Sequence, residues 1–286
     1  MTSLDNYSLD DRYLNDQGRV FLTGIQALAR MPIEQLRIDA AGGRNTAAFV
    51  SGYQGSPLGG FDQEMARAAG RVPDLRIVCQ PAVNEELAAT AVMGSQLAPA
   101  LRGSRHDGVV GYWYGKAPGA DRASDALRHA VYAGAHPSGG ALALVGDDPA
   151  CKSSTLPSSS DLSMVNLKMP VLYPGDVQDV LDLGRHAVAV SRFTGLWTGY
   201  KIVTAVADGS GTVDLSLDRV VPIIPDSIID GRERSFVPSA TLIAPFTNQR
   251  EQDIIEAGLL LAQRYSEANN LVRVTADPAD AWLGLV

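Results

Sequence analysis

The chain has 286 residues, 45% hydrophobic and 20% charged, the balance of an ordinary globular protein with a sizeable core. Its net charge of −8 and pI of about 5.0 leave no basic patch to neutralise phosphates, which argues against a nucleic-acid partner. Two cysteines, Cys79 and Cys151, build neither a disulfide framework nor a zinc or iron–sulfur site by themselves, and no apolar run is long enough to span a bilayer. Both thiols are expected to be reduced. The N-terminus is acidic and polar and lacks a signal-peptide core. The expected location is cytoplasmic, with no membrane partner.

In chain order, residues 1–18 read as a polar arm. Phe21, Leu22, Ile25, Leu28 and Ala29 recur at helical spacing, which predicts a helix over 19–40. Pro32 is expected to interrupt it and begin a second helical stretch. Ala47-Ala48-Phe49-Val50 reads as a central strand, and a Gly-rich turn, 51–60, leads to a helix from Phe61 to Ala69. The pattern repeats. A strand at 75–79 precedes a helix from about 84 to 101. A strand at 108–113 precedes a loop, 115–122, and a helix to about Ala133. A strand at 140–145 ends in Gly146-Asp147-Asp148, followed by a Ser/Thr/Pro-rich loop over 151–161. A short strand at 170–174, a helix from Val177 to Phe193 and a strand at 199–204 complete the run.

Near-continuous apolar strands alternating with helices predict an α/β fold, a doubly wound, mostly parallel sheet with helices on both faces. Ligands of such sheets sit beyond the carboxyl ends of the strands, and the informative loops (51–60, 81–86, 114–122 and 146–161) all follow strand ends. Residues 206–240 read as a polar, Pro-rich connector. A helix from about Gln252 to Ala268 and a strand at 271–274 read as the start of a second α/β unit over 241–286. The apolar ending, Ala281-Trp282-Leu283-Gly284-Leu285-Val286, is expected to be the cut edge of a longer gene product.

Four words in these loops carry a resemblance. They are Phe49-Val50-Ser51-Gly52-Tyr53-Gln54-Gly55-Ser56-Pro57-Leu58-Gly59-Gly60, Asn84-Glu85-Glu86-Leu87-Ala88-Ala89-Thr90-Ala91-Val92, Tyr114-Gly115-Lys116-Ala117-Pro118-Gly119-Ala120-Asp121-Arg122 and Gly146-Asp147-Asp148-Pro149-Ala150-Cys151-Lys152-Ser153-Ser154-Thr155. In this order they resemble the 2-oxoacid:ferredoxin oxidoreductases, and in particular the fused indolepyruvate ferredoxin oxidoreductase family. The resemblance implies that residues 19–205 form a thiamine diphosphate pyrimidine-binding domain. It implies further that a diphosphate-binding domain, of the same or a partner chain, completes the site. Mg²⁺ and [4Fe-4S] clusters are expected only from segments absent here. Coenzyme A, a 2-oxoacid and ferredoxin are the implied reactants, and a homodimer the implied assembly.

The same resemblance assigns roles. It makes Glu85 the catalytic carboxyl, hydrogen-bonded to the pyrimidine nitrogen opposite the amino group. It places Asn84, Tyr53, Gly55, Ser56 and Pro57 at the cofactor, and Ser56, Lys116 and Arg122 at the substrate. On the residues alone, Asn84 caps a helix whose dipole Glu85 and Glu86 complement, and Gly55 to Pro57 is a tight turn. Lys116 and Arg122 either hold an anionic 2-oxoacid or lie in a solvated loop with an Asp121–Arg122 pair. Asp147 and Asp148 are read as caps or pocket-lining groups, not Mg²⁺ ligands, and Lys152 to Thr155 as either a contact to substrate or a polar surface loop. The histidines lack metal spacing, and no residue is expected to bind a metal. Trp113 and Trp197 are expected in the core or an interface.

Two functions fit. The first is the N-terminal part of an enzyme that oxidatively decarboxylates an aryl 2-oxoacid such as indolepyruvate to the acyl-CoA, passing electrons to iron–sulfur clusters and ferredoxin; alone, this piece is expected to be inactive. The second is a non-catalytic interaction module or a subunit of a split enzyme. A nucleotide-binding domain fits poorly, because Gly52 to Gly60 lacks the Gly-x-Gly-x-x-Gly spacing.

Overall fold

A computed structural model describes residues 8–272, 274, 276 and 278–283. The chain begins with α1 (Asp11–Leu14), β1 (Arg19–Thr23) and α2 (Gly24–Ala41). The repeating unit then starts: β2 (Thr46–Gly52), α3 (Phe61–Arg71), β3 (Ile77–Cys79), α4 (Glu85–Leu97) with a 3₁₀ turn at Ala98–Ala100, and β4 (Gly108–Lys116). It continues through α5 (Ala117–Arg122), α6 (Ser124–Ala133), β5 (Ala141–Asp147), α7 (Asp161–Asn166), β6 (Val171–Leu172), α8 (Val177–Thr194) and β7 (Thr198–Val203). The remainder is α9 (Thr204–Ala207), β8 (Ser210–Asp214), β9 (Ile228–Ile229), β10 (Arg232–Glu233), α10 (Phe246–Asp253), a π turn at Ile254–Gly258 and α11 (Leu259–Ala268).

Among the described residues, six strands form one parallel sheet in the order β3-β2-β4-β5-β7-β6. Strand alternation sorts its side chains into two cores. Val110, Tyr112 and Tyr114 of β4 and Leu142 and Leu144 of β5 face α2, α3 and α8. Trp113 of β4 and Ala141, Ala143 and Val145 of β5 face α4 and α6. The expected fold is thus the observed one: a parallel sheet covered by helices on both faces.

Three local readings are corrected. Residues 19–23 are a strand, not the start of a helix. Val20 and Leu22 point inward while Arg19 and Phe21 point outward, a period of two, and β8 pairs with β1 from Arg19↔Asp214 to Thr23↔Ser210. The helix starts at Gly24 through a capping box: Thr23 Oγ1 accepts the Gln26 N–H at 3.2 Å and Gln26 Oε1 accepts the Thr23 N–H at 3.0 Å. Second, Pro32 lies inside a continuous α2. Burial on several sides, with Ala27 to Leu36 all inside, outweighs the one lost backbone bond. Third, the loop expected over 115–122 is the end of β4 followed by α5.

The arm and the connector also carry structure. In the arm, Tyr13 is buried and donates to Glu64 Oε1 at 2.5 Å. Within 206–240, Asp230 and Gly231 both have positive φ and join β9 to β10, an Asp-Gly hairpin signal legible in the sequence. Helix α11 packs on α8, where His186 Nδ1 lies 2.9 Å from Tyr265 Oη. In the expected strand at 271–274, Arg273 lies outside the described residues, and Leu271, Val272 and Val274 are not in a strand. Residues 1–7 of the arm and Gly284 to Val286 of the apolar ending also lie outside; Trp282 and Leu283 are exposed.

Candidate functional site

Four loops meet at the carboxyl edge of the sheet. The chain after β3 continues beside β2, with the N–H of Ala82 donating to the Gly52 carbonyl at 2.9 Å. It then turns into α4 through Asn84, whose Oδ1 accepts the Leu87 N–H at 2.8 Å. Asn84 is therefore the cap read from the sequence, and Glu85 is the first helical residue.

The two neighbouring acids diverge. Glu86 projects outward, 3.9 Å from Arg122 Nε, with both side chains about half exposed or more. Glu85 turns inward and is only 5% exposed. Its carboxylate makes no hydrogen bond or ion pair among the described residues. It lies over Gly119 of α5, where a β-carbon would stand 2.5 Å from Glu85 Oε1 and 2.9 Å from its Cγ. The Trp113 indole N–H donates to the Glu85 carbonyl at 3.0 Å, pinning the first turn of α4 to β4. A helix-dipole role is served by an exposed acid such as Glu86. An inward carboxylate with no partner among the described residues, at the carboxyl edge of a parallel sheet, is a candidate for ligand recognition.

The other named residues are brought to the same edge. Gly55 lies against the Lys116 side chain, with Cδ 2.9 Å from where a β-carbon would stand. Pro57 lies over Gly146 at the end of β5. The Ser56 hydroxyl is hydrogen-bonded to that of Ser153 from the next loop. Tyr53 is 41% exposed. Lys116 makes no ion pair among the described residues, whereas Arg122 points away toward Glu86. The 53–57 turn, Asn84-Glu85, α5 and the 148–160 loop are thus adjacent, and Arg122 sits on their outer side.

Asp148 is occupied by the protein itself, whereas Asp147 is engaged through Oδ2 alone and its buried Oδ1 has no partner among the described residues. Asp147 is fully buried and accepts the Ser160 N–H at 2.9 Å, with Lys201 Nζ at 3.6 Å. Burial raises its pKa, opposed by the Ser160 N–H and the Lys201 charge. Asp148 accepts the N–H groups of Lys152, Ser153 and Ser154, each at 2.9 Å. Among the described residues no group of three His, Cys, Asp or Glu side chains is placed to hold a metal, and no helix is long and apolar enough to cross a membrane. A cleft of about 330 Å³ flanked by Asp39, Arg44, Arg185 and Arg192 lies at the opposite, amino-terminal edge. There Asp39 meets Thr46 at the start of β2, and its polar groups largely satisfy one another.

Sequence reading missed Gly119 as the wall behind Glu85 and Trp113 as its backbone anchor, while the capping role read for Asp148 is the one it takes on the N–H groups of 152–154. Gly119 had no signal beyond its place in the third loop word.

No family model matches the chain. Two curated relatives align over nearly all of it. The indolepyruvate oxidoreductase subunit IorA of Methanothermobacter marburgensis is 24% identical over 268 residues, 94% of this chain and 38% of its own length. That of Archaeoglobus fulgidus is 25% identical over 271 residues, with the same two shares. The chain therefore spans well under half the length of these relatives. Among solved structures, the 2-oxoglutarate:ferredoxin oxidoreductase from Magnetococcus marinus, determined with 2-oxoglutarate, coenzyme A and succinyl-CoA bound, superposes with a TM-score of 0.54. It is 15% identical and covers 85% of this chain and 45% of that one. The expected resemblance is met by the comparisons: the chain is similar to the IorA subunits of indolepyruvate oxidoreductase and shares the fold of a 2-oxoacid:ferredoxin oxidoreductase.

Proposed function

We propose that the chain is the pyrimidine-binding part of a thiamine diphosphate-dependent 2-oxoacid:ferredoxin oxidoreductase of the indolepyruvate type. The observation that carries this reading is Glu85, a buried residue whose carboxylate has no partner among the described residues, at the meeting of four loops on the carboxyl edge of a parallel sheet. Such a carboxylate fits a ring nitrogen that exchanges a proton. Thiamine diphosphate supplies a nucleophilic carbon and an electron sink for the decarboxylation of a 2-oxoacid. Glu85 holds the proton at the pyrimidine nitrogen opposite the amino group. Asn84 fixes the turn on which Glu85 stands, and Tyr53, Gly55, Ser56 and Pro57 form the adjoining wall. Lys116 and Ser56 meet the substrate's carboxylate or keto oxygen; the outward position of Arg122 leaves Lys116 as the better cation for this task.

On this reading residues 19–205 are the pyrimidine domain, 206–240 a connector and 241–286 the start of a second unit. A diphosphate-binding domain of the same or a partner chain brings Mg²⁺. Iron–sulfur clusters lie elsewhere in the assembly, ferredoxin takes the electrons and coenzyme A takes the acyl group. The enzyme is cytoplasmic and a homodimer, and the chain alone is inactive.

The test is an assay of the complete enzyme for reduction of a viologen dye that requires both a 2-oxoacid and coenzyme A, with thiamine diphosphate supplied or withheld. Turnover that requires the cofactor and favours arylpyruvates over 2-oxoglutarate is expected. Turnover indifferent to thiamine diphosphate contradicts the proposal. Gly119→Ala supplies a sharper check. The added methyl stands 2.5 Å from Glu85 Oε1 and displaces the carboxylate, so a loss of about 10²-fold in kcat/KM is expected. The accompanying overpacking is expected to cost only about 1–3 kcal/mol of stability, read by urea unfolding.

A further inference from the structure

Ser153 reaches the candidate site from the loop after β5, and its hydroxyl is hydrogen-bonded to the Ser56 hydroxyl from the loop after β2. The pair is held on both sides. Asp148 Oδ2 accepts the N–H groups of Ser153 and Ser154, and Oδ1 accepts that of Lys152. Thr204 Oγ1 lies 3.2 Å from Asp148 Oδ1. These donors, the Ser153 N–H foremost, hold the Asp148 carboxyl well below the usual carboxylate range, so the anchor stays an acceptor at neutral pH. On the other side, Pro57 and Leu58 lie against Gly146, directly before this loop.

A hydroxyl has one proton to give and two lone pairs. Within a Ser–Ser pair one partner donates and the other accepts. A 2-oxoacid offers only acceptors there, its carboxylate and keto oxygens. Ser56 has a proton free for such a ligand only when Ser153 is the donor of the pair. We propose that Ser153 is a positioning residue: it donates to Ser56 and thereby directs the Ser56 proton at the oxygens of the 2-oxoacid. The proposal rests on the functional reading above and deepens it. The 148–154 turn, tied together by Asp148, is then a bracket for a hydroxyl on a different loop, and Ser153 itself does not touch the reacting atoms.

In the complete enzyme, Ser153→Ala is expected to raise KM for the 2-oxoacid about three- to ten-fold, the span of one net hydrogen bond. The change in kcat, in the dissociation constant for thiamine diphosphate and in the thermal midpoint is expected to be small. Ser153→Thr keeps a hydroxyl and is expected to restore much of the lost affinity. In a Ser56→Ala background, Ser153→Ala is expected to add nothing, because the two side chains act as one unit. An unchanged KM in Ser153→Ala overturns the assignment, as does an increase that persists in full without the Ser56 hydroxyl. A parent enzyme whose turnover ignores thiamine diphosphate overturns the functional reading itself, and the assignment with it.

Discussion

Glu85→Gln in the complete enzyme is expected to lower turnover by about 10²- to 10⁴-fold, the span of a lost general acid–base group. Glutamine keeps the shape and one hydrogen-bonding oxygen but cannot exchange the proton. The accompanying change in stability separates this role from a structural one. If Glu85 merely complemented the α4 dipole, its neutralisation would cost a few tenths to about 1 kcal/mol. Glu85 is instead 5% exposed, and its carboxylate makes no hydrogen bond or ion pair among the described residues, so Glu85→Gln breaks no such contact. Stability is therefore expected to hold while activity falls, a separation typical of binding sites. Glu86→Gln, one residue along and on the surface beside Arg122, is expected to stay near the parent rate. Near-normal 2-oxoacid-dependent dye reduction by Glu85→Gln would falsify the assignment.

The largest expected loss of stability lies far from this edge. Glu34 is 2% exposed in α2 and faces three guanidinium groups: Arg30 Nε at 2.8 Å, Arg185 at 3.0 Å and Arg219 at 2.8 Å. Removing it leaves Arg30 and Arg185 without a carboxylate partner among the described residues, while Arg219 keeps Asp182. Glu34→Ala is therefore expected to cost about 3–5 kcal/mol, read as a lower urea midpoint at constant slope. The pH dependence has a definite sign. Burial alone would raise the Glu34 pKa, but the charge of Arg30, with the hydrogen bond and charge of Arg219 and the charge of Arg185, outweighs it, and the net direction is down. Asp39 follows the same course, with burial overcome by Arg192, Thr46 and Gln35. A carboxylate whose pKa is depressed on folding stabilises above its unfolded value, about 4, and loses that contribution as pH falls through the folded value. The parent and Glu34→Ala are thus expected to differ fully at neutral pH and to converge in acid below about pH 4. A difference independent of pH down to 2 would rule out the ion cluster as the cause.

The same cluster shows where reading from sequence stops. Glu34, Arg185 and Arg219 are separated by up to 185 positions, and no local pattern announces that they meet. The strands of the sheet were legible because burial on both faces demands unbroken apolar runs, as in Ala141–Asp147. The Asn84 cap was legible because its hydrogen bond closes within four residues. The strand at Arg19–Thr23 was misread. Its apolar residues fit a helical period as well as an alternating one, and its partner β8 lies nearly 200 residues away.

Periodicity was enough for the layered α/β architecture, and the four loop words put Glu85 forward as the candidate. Those features are encoded by periodicity and by short-range hydrogen bonding, both of which are local. Only the tertiary structure decided which acid of the Glu85-Glu86 pair is buried. It also brought Gly119 behind Glu85, paired Ser56 with Ser153, and turned Arg122 outward. Each of these depends on how adjacent parallel strands carry their following loops to a common edge, which is set by strand order, and strand order is not a property of any one segment.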